Sequence, residues 1–326
     1  MVYLEFIIKQ LYVVFVKSID KVFCFVSILF TISFFFTDIF MWKFFFNIKS
    51  FGDSHFISKC SKCSFVFSRK IASPEVLQEF YDRYPFSDIY FELTKSRYIS
   101  ALEQFESYRS TNKILEIGCG EGYFLDESRK NNWKTYGTEI STSLLKNATK
   151  KNHTMFKSLD EIPESEHGQF DIIVSLEVIE HLPNPHYYIE KFEKLLRKDG
   201  GLYMTTPNFN SLARHILGAN WNNIVFPEHL CYFTKKTMKK LLTKYNFQEK
   251  YTKTEGISPS RFAYTFLKWR HKDKTTKFKY DYNERDRNLS AQIDKKSLLS
   301  LIKKATNRFL NTTNSGETLK VFYVKK

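Results

Sequence analysis

Six acidic and imidazole side chains stand where they can do chemistry: Glu116, Glu139, Glu177, Glu180, His181 and His229. Glu116 lies inside an apolar run, Ile114-Leu115-Glu116-Ile117, that ends in Gly118-Cys119-Gly120-Glu121-Gly122. The alternate glycines let the backbone turn sharply and come close to a ligand. A helix starting just after them offers free N–H groups to a polar ligand. Glu139 stands 21 residues beyond Gly118, close to the ~20 at which a nucleotide-binding βαβ unit places its ribose-holding acid. A carboxylate suits that task because it accepts two hydrogen bonds from a vicinal diol. Glu177, Glu180 and His181 are spaced i, i+3, i+4, so a helical turn would put them on one face. Two carboxylates and an imidazole there make a candidate hard-cation site. His181 is also a candidate general base or substrate orienter, and His229, in Pro227-Glu-His-Leu230, is a second candidate base. Cys119 reads as a small packing residue, since a free cysteine packs as a small hydrophobe.

The surrounding chain supplies elements that position these groups. Ile114–Ile117 reads as a buried strand, and Tyr123 to about Lys130 as the helix after the glycine turn. Strands at 133–138, 154–157, 170–176, 202–206, 247–255 and 316–325 follow, separated by helices at 141–151, 186–197 and 235–245. Ser141 and Thr234 stand as N-caps, and Lys198-Asp-Gly-Gly201 as a helix end and turn. Alternating strands and helices predict a doubly wound α/β domain.

Glu116 to Gly122 reads E-x-G-x-G-x-G, its third glycine one residue earlier than a dinucleotide fingerprint requires. This resembles motif I of the class I S-adenosylmethionine (SAM) methyltransferases. Phe170-Asp-x-Ile followed by Val178-Ile-Glu-His-Leu182 resembles the segment just past their fourth strand. The resemblance implies a Rossmann-like, seven-stranded, mostly parallel sheet with an antiparallel last strand. It implies SAM as cofactor, held by Glu116, Gly118, Cys119, Gly120, Gly122, Glu139, Ile140, Leu159, Leu176 and Glu177, with adenine near Ser158-Leu159-Asp160. His181, His229 and Glu180 are then the catalytic candidates. Related enzymes of ubiquinone biosynthesis and of RNA 2′-O-methylation use an E-x-x-E-H cluster for a divalent ion and a substrate hydroxyl. The RNA enzymes carry a second His where this chain has Leu182, so nucleic acid is not the expected partner.

Cys60-Ser-Lys-Cys63, Phe65-Val-Phe67 and Ser73-Pro-Glu-x-Leu-x-x-Phe-Tyr81 resemble the lead-in of bacterial methyltransferases from sugar and cell-surface glycan pathways. That lead-in normally carries two C-x-x-C pairs, and here one is present. Trp221-x-x-x-x-x-Pro227-Glu-His-Leu-x-x-Phe233 resembles the substrate-side insertion of the same group. It implies aromatic rings offered to a sugar or other ring. The expected activity is O-methylation of a small-molecule, sugar or lipid-linked glycan acceptor, with a metal-assisted ubiquinone-type reaction as the alternative and a non-catalytic SAM-fold scaffold as a third reading.

Three segments are expected. Residues 1–48 form a hydrophobic N-terminal stretch, residues 49–94 the C-x-x-C lead-in, and residues 95–326 the methyltransferase domain with insertions at 207–233 and 258–314. Val22 to Thr37 carries no charge, but a spanning helix needs about 20 apolar residues. Three readings stay open for it: a membrane anchor within 22–42, a buried helical pair, or a non-native extension ahead of Met41. The catalytic part is expected in a reducing, cytoplasmic setting, tethered to the cytoplasmic membrane face if the anchor reading holds. The five cysteines form no regular disulfide framework. The 50 Lys and Arg against 35 acids leave +15, which favours polyanions (nucleic acid, anionic membrane or phosphate-bearing substrates), or is a solvated lysine-rich surface, since the lysines scatter and no Arg-aromatic nucleic-acid motif is present.

Overall fold

The computed structural model describes residues 56–82, 88–257 and 297–326. The apolar 22–42 segment and most of the basic 258–314 insertion lie outside the described residues. Among the described residues no helix is long and apolar enough to cross a membrane.

Seven strands form the central sheet: β3 (Lys113–Ile117), β4 (Lys134–Thr138), β5 (Thr154–Phe156), β6 (Phe170–Leu176), β7 (Leu196–Pro207), β9 (Phe247–Glu255) and β10 (Thr318–Lys325). Their order is β5-β4-β3-β6-β7-β10-β9. The pairs from β5 to β7 are parallel, and β10 runs antiparallel to both β7 and β9. The expected sheet is the observed one. β3 and β6 are central because their apolar runs need cover on both faces. All of β6 except Leu176 is buried.

Short crossovers make the parallel pairs. They are α3 (Tyr123–Lys130), α4 (Thr142–Lys150) and α5 (Pro185–Leu195), with α2 (Asp88–Phe105) packed ahead of β3. Asp171 ties the bottom of the sheet together. Its carboxylate accepts from the N–H groups of Ser110, Thr111 and Asn112 at 2.9, 3.1 and 2.7 Å and from Arg197 Nε at 2.6 Å. Those donors hold the carboxyl below its ordinary range against the opposing effect of burial.

One expectation at β7 is corrected. The Lys198–Gly201 stretch is not a helix end and turn, because α5 stops at Leu195 and the chain enters the strand at Leu196. The register on β6 then jumps, Phe170 facing Leu196 and Ile172 facing Gly201, so the extra residues bulge out. Gly201 has no room for a side chain, since a Cβ there would lie 2.7 Å from the Phe322 ring.

A second, smaller sheet joins β1 (Ile57–Lys59), β2 (Val66–Ser68) and β8 (Cys231–Tyr232), all antiparallel. The lead-in hairpin and the 207–233 insertion therefore share one sheet. They also share a core of Ile57, Val66, Phe209, Ala213, Trp221 and Tyr232. α1 (Pro74–Asp82) follows the hairpin, and α6 (Leu212–Leu217) and α7 (Lys235–Leu242) flank β8. α8 (Ser297–Thr312) precedes β10.

Candidate functional site

The parallel strands end together on one side of the sheet, where ligands bind in open α/β folds. Gly118, Gly120 and Gly122 all take positive φ, at 65, 54 and 77°, a region costly for residues with a Cβ. Space is also short, since a Cβ on Gly118 would lie 2.8 Å from the Val178 side chain. Cys119 N–H donates to Thr138 O at 3.0 Å, clamping the glycine loop to the end of β4. The Cys119 thiol is buried and pushed well up by that burial, which fits packing and not nucleophilic attack.

Glu139 sits just past β4. Its Oε2 accepts from Gly120 N–H at 2.9 Å and its Oε1 from Ser141 N–H at 2.8 Å. The loop and the acid thus fix each other. Each ionised oxygen has capacity for a further donor.

Glu116, 5 % exposed, lies at the end of β3 with its Oε2 unpartnered. Burial first, then the nearby Glu139 and Asp126, pushes its carboxyl well above the ordinary range. A buried carboxyl left without a partner is costly. A ligand ammonium would satisfy it.

The other expected cofactor residues line the same edge in different states. Ile140 is exposed, and its carbonyl accepts from Gln78 Nε2 of α1 at 3.0 Å, drawing that helix over the end of β4. Leu159 is buried in the main core, and Leu176 packs at the end of β6. Asp160 is engaged on the surface by Lys191 at 2.7 Å and by the Tyr187 hydroxyl at 2.5 Å, which hold its carboxyl below the usual range.

The E-x-x-E-H reading is corrected in one member. Glu177 is exposed, with φ at 56°, and the helical turn starts only at Ile179. The left-handed residue breaks the i, i+3, i+4 face, so Glu177 does not join Glu180 and His181. His229 takes its place: side-chain ligand atoms of Glu180, His181 and His229 all lie within 4.8 Å of one another. The two rings meet edge to face at 4.8 Å and 89°, and His181 Nε2 stands 3.8 Å from Glu180 Oε1. Leu230 N–H donates to Glu180 O at 2.8 Å and brings the two loops together.

The protonation states are legible. His229 Nδ1 donates to Asn223 O at 2.7 Å, a carbonyl that can only accept, so in the neutral ring Nε2 carries the lone pair. Burial, then His229, pushes His181 down to about 3, leaving it neutral. Glu180, 2 % exposed, has an unpartnered Oε2, and burial followed by Glu177 pushes its carboxyl well up. Orphaned carboxylate oxygen beside imidazole nitrogen is a donor set that fits a hard divalent cation.

A family model described as a methyltransferase domain matches residues 90–250. Those residues hold the glycine loop, Glu139 and the Glu180–His181–His229 cluster. They are the part of the chain that is similar to methyltransferase domains. The chain is 28% identical over 174 residues to the ubiquinone biosynthesis O-methyltransferase of Glaesserella parasuis serovar 5, covering 49% of this chain and 74% of that protein. It is 30% identical over 118 residues to the protein of the same name from Coxiella burnetii, covering 33% of this chain and 50% of the relative. It thus spans about half the length of the Coxiella relative. A solved SAM-dependent methyltransferase from Archaeoglobus fulgidus is 17% identical, with TM-score 0.47 over 78% of this chain and all of that one (100%). The match supports an enzyme of the methyltransferase kind.

The aromatics expected to face a substrate ring turn out to be core. Trp221, Tyr232 and Phe233 are buried, and of the insertion's large apolar side chains only Ile216 and Phe226 are exposed, Phe226 at 39 %. Cys60 and Cys63 sit in the β1–β2 turn. Hydrogen bonds from Cys63, then Lys62 N–H, hold the Cys60 thiol below its ordinary range. Among the described residues the only group of three or more metal-type ligands is Glu180–His181–His229. Spacing along the chain does not show that His229 completes this group. A signal was present in two Glu-His-Leu tripeptides, 180–182 and 228–230.

Proposed function

We propose that the chain is a SAM-dependent methyltransferase that methylates a hydroxyl oxygen of a small-molecule acceptor, and that Glu180, His181 and His229 receive that hydroxyl. The observation that carries this reading is the His229 tautomer: Nδ1–H donates to Asn223 O, which makes Nε2 the acceptor atom of the neutral ring, in a cluster whose ligand atoms from Glu180, His181 and His229 lie within 4.8 Å of one another. Glu116 holds the cofactor's ammonium group and Glu139 its ribose hydroxyls. The glycine loop gives the cofactor its close approach. Methyl transfer is a displacement on an already activated cofactor, so the chain's work is to align the acceptor and take up its proton. His229 Nε2 takes that proton in this reading. His181, neutral and packed on the His229 ring, keeps it oriented.

The same donors would hold a divalent cation, which would supply charge stabilisation for a hydroxyl losing its proton. The orphaned Glu180 oxygen supports that option, and the similarity to ubiquinone biosynthesis O-methyltransferases favours transfer to oxygen. A sugar or lipid-linked glycan acceptor has Phe226 as its remaining exposed aromatic support.

The test pairs His229→Gln with the wild type. We expect turnover of phenolic and sugar hydroxyl acceptors to fall by roughly 10²–10⁴-fold, with affinity for S-adenosylhomocysteine unchanged. Titration of Mn²⁺ by calorimetry, with and without Glu180→Gln, reads the cation directly. Undiminished turnover in His229→Gln would remove the acceptor role of this cluster.

A further inference from the structure

Arg214 in α6 is a half-buried cation with no anion beside it among the described residues. Its Nε donates to Phe209 O at 2.9 Å, its Nη2 meets His215 Nδ1 at 3.1 Å, and its guanidinium lies 4.6 Å from the centre of the Phe209 ring. Its remaining N–H donors, the Nη1 pair among them, meet no acceptor among the described residues, and no carboxylate there pairs with it. Guanidinium cannot shed its proton in a protein, so burial cannot be relieved by neutralisation. Buried charges are otherwise paired.

The neighbours keep the fork in place without balancing it. His215 Nε2 bonds Asn210 Oδ1 at 3.1 Å, so Nε2 carries the ring proton and Nδ1 is left to accept from Arg214. Asn210 is in turn anchored on Asn314 O at 3.2 Å. The result is a fixed, directed cation, unlike the solvated lysines that make up most of the chain's charge.

Arg214 also connects to the acceptor end. Its stacking partner Phe209 meets the Tyr232 ring at 5.4 Å, and the Tyr232 hydroxyl donates to His229 O at 3.1 Å. Cation and candidate base are thus carried by one insertion around one buried aromatic group.

We propose that Arg214 is the anion anchor of the acceptor site, binding a phosphate or carboxylate group that the methyl acceptor carries away from its reacting hydroxyl. Two oxygens of a carboxylate or a phosphate match the planar guanidinium fork in a bidentate way. The proposal rests on the reading of Glu180, His181 and His229 as the acceptor end, and it narrows the acceptor to an anionic molecule.

The experiment uses the full chain at about 150 mM salt, which screens binding to surface lysines, with inorganic pyrophosphate and malonate as probes. Phenylglyoxal labelling of the wild type, read by peptide mass, should show Arg214 protected by one probe. Protection by pyrophosphate assigns a phosphate-bearing acceptor, and protection by malonate alone a carboxylate. In calorimetry Arg214→Gln should weaken that probe by roughly tenfold or more, and Arg214→Lys should fall between the two. S-adenosylhomocysteine affinity should stay within twofold throughout. No protection of Arg214, or equal probe affinity in Arg214→Gln, overturns the proposal. If the variants do not fold, the labelling of wild-type protein decides alone. Failure of the hydroxyl-transfer reading would appear instead as undiminished turnover in His229→Gln, which these binding measurements do not touch.

Discussion

Replacing Glu116 by glutamine should make the empty protein more stable and the cofactor weaker. In the wild type this carboxyl is buried, its Oε2 has no partner, and Glu139 and Asp126 lie close enough to raise its proton affinity further. A group whose folded pKa is raised above its unfolded value contributes full stability below the unfolded value. That contribution is lost as pH rises through the folded value. Glutamine keeps the shape and has no proton to lose. The stability advantage of Glu116→Gln over wild type should therefore be small near pH 5 and grow toward pH 8. With S-adenosylmethionine bound the order reverses, because the ammonium loses a charge-assisted hydrogen bond. Such a bond is worth about 1.5–3 kcal/mol, which is roughly 10–150-fold in affinity. Thermal unfolding across pH without ligand, and calorimetry with ligand, read the two halves separately. An advantage largest in acid, or cofactor affinity within twofold of wild type, would refute the assignment.

Two further outcomes follow from named contacts. Asp171→Asn strips the buried anion from Arg197 and three N–H donors. Breaking such a pair costs about 3–5 kcal/mol and should lower the melting temperature by roughly 10 °C, while S-adenosylhomocysteine affinity per folded molecule holds. A melting shift under about 2 °C would contradict that role for Asp171. His181, pushed down to about 3, has a folded value below its unfolded one, so its contribution to stability is lost as pH falls from about 6.5 toward 3. Denaturant midpoints should show the wild type losing more stability over that window than His181→Gln, and parallel profiles would count against a neutral buried ring.

The sheet was legible because its strands are governed by local pattern. Ile114–Ile117 and Phe170–Leu176 are near-continuous apolar runs, and each is bounded by a turn or a cap that a short window contains. β8 is different. It is two residues long, too short to carry a period, and it exists because Val66 and Phe67 pair with Tyr232 and Cys231 from far along the chain. That pairing also explains the mistaken reading of the insertion's aromatics. Trp221 and Tyr232 face the lead-in hairpin's Ile57 and Val66, a core built from two distant segments.

The candidate site divides along the same line. Glu116, the glycines and Glu139 are placed by one βαβ unit, so their spacing alone locates them. The acceptor end depends on backbone conformation that residue type argues against. Glutamate seldom takes positive φ, yet Glu177 does, and that single residue removes it from the face its spacing predicts. The vacancy is filled across the fold by His229, whose own backbone neighbour Leu230 bonds Glu180 O. A strained, exposed acid held beside the end of a buried central strand is where proteins store conformational cost for function. Here it lets the chain leave β6 and lay Glu180 and His181 against the insertion, so the reacting end is assembled by two loops that must both be in place.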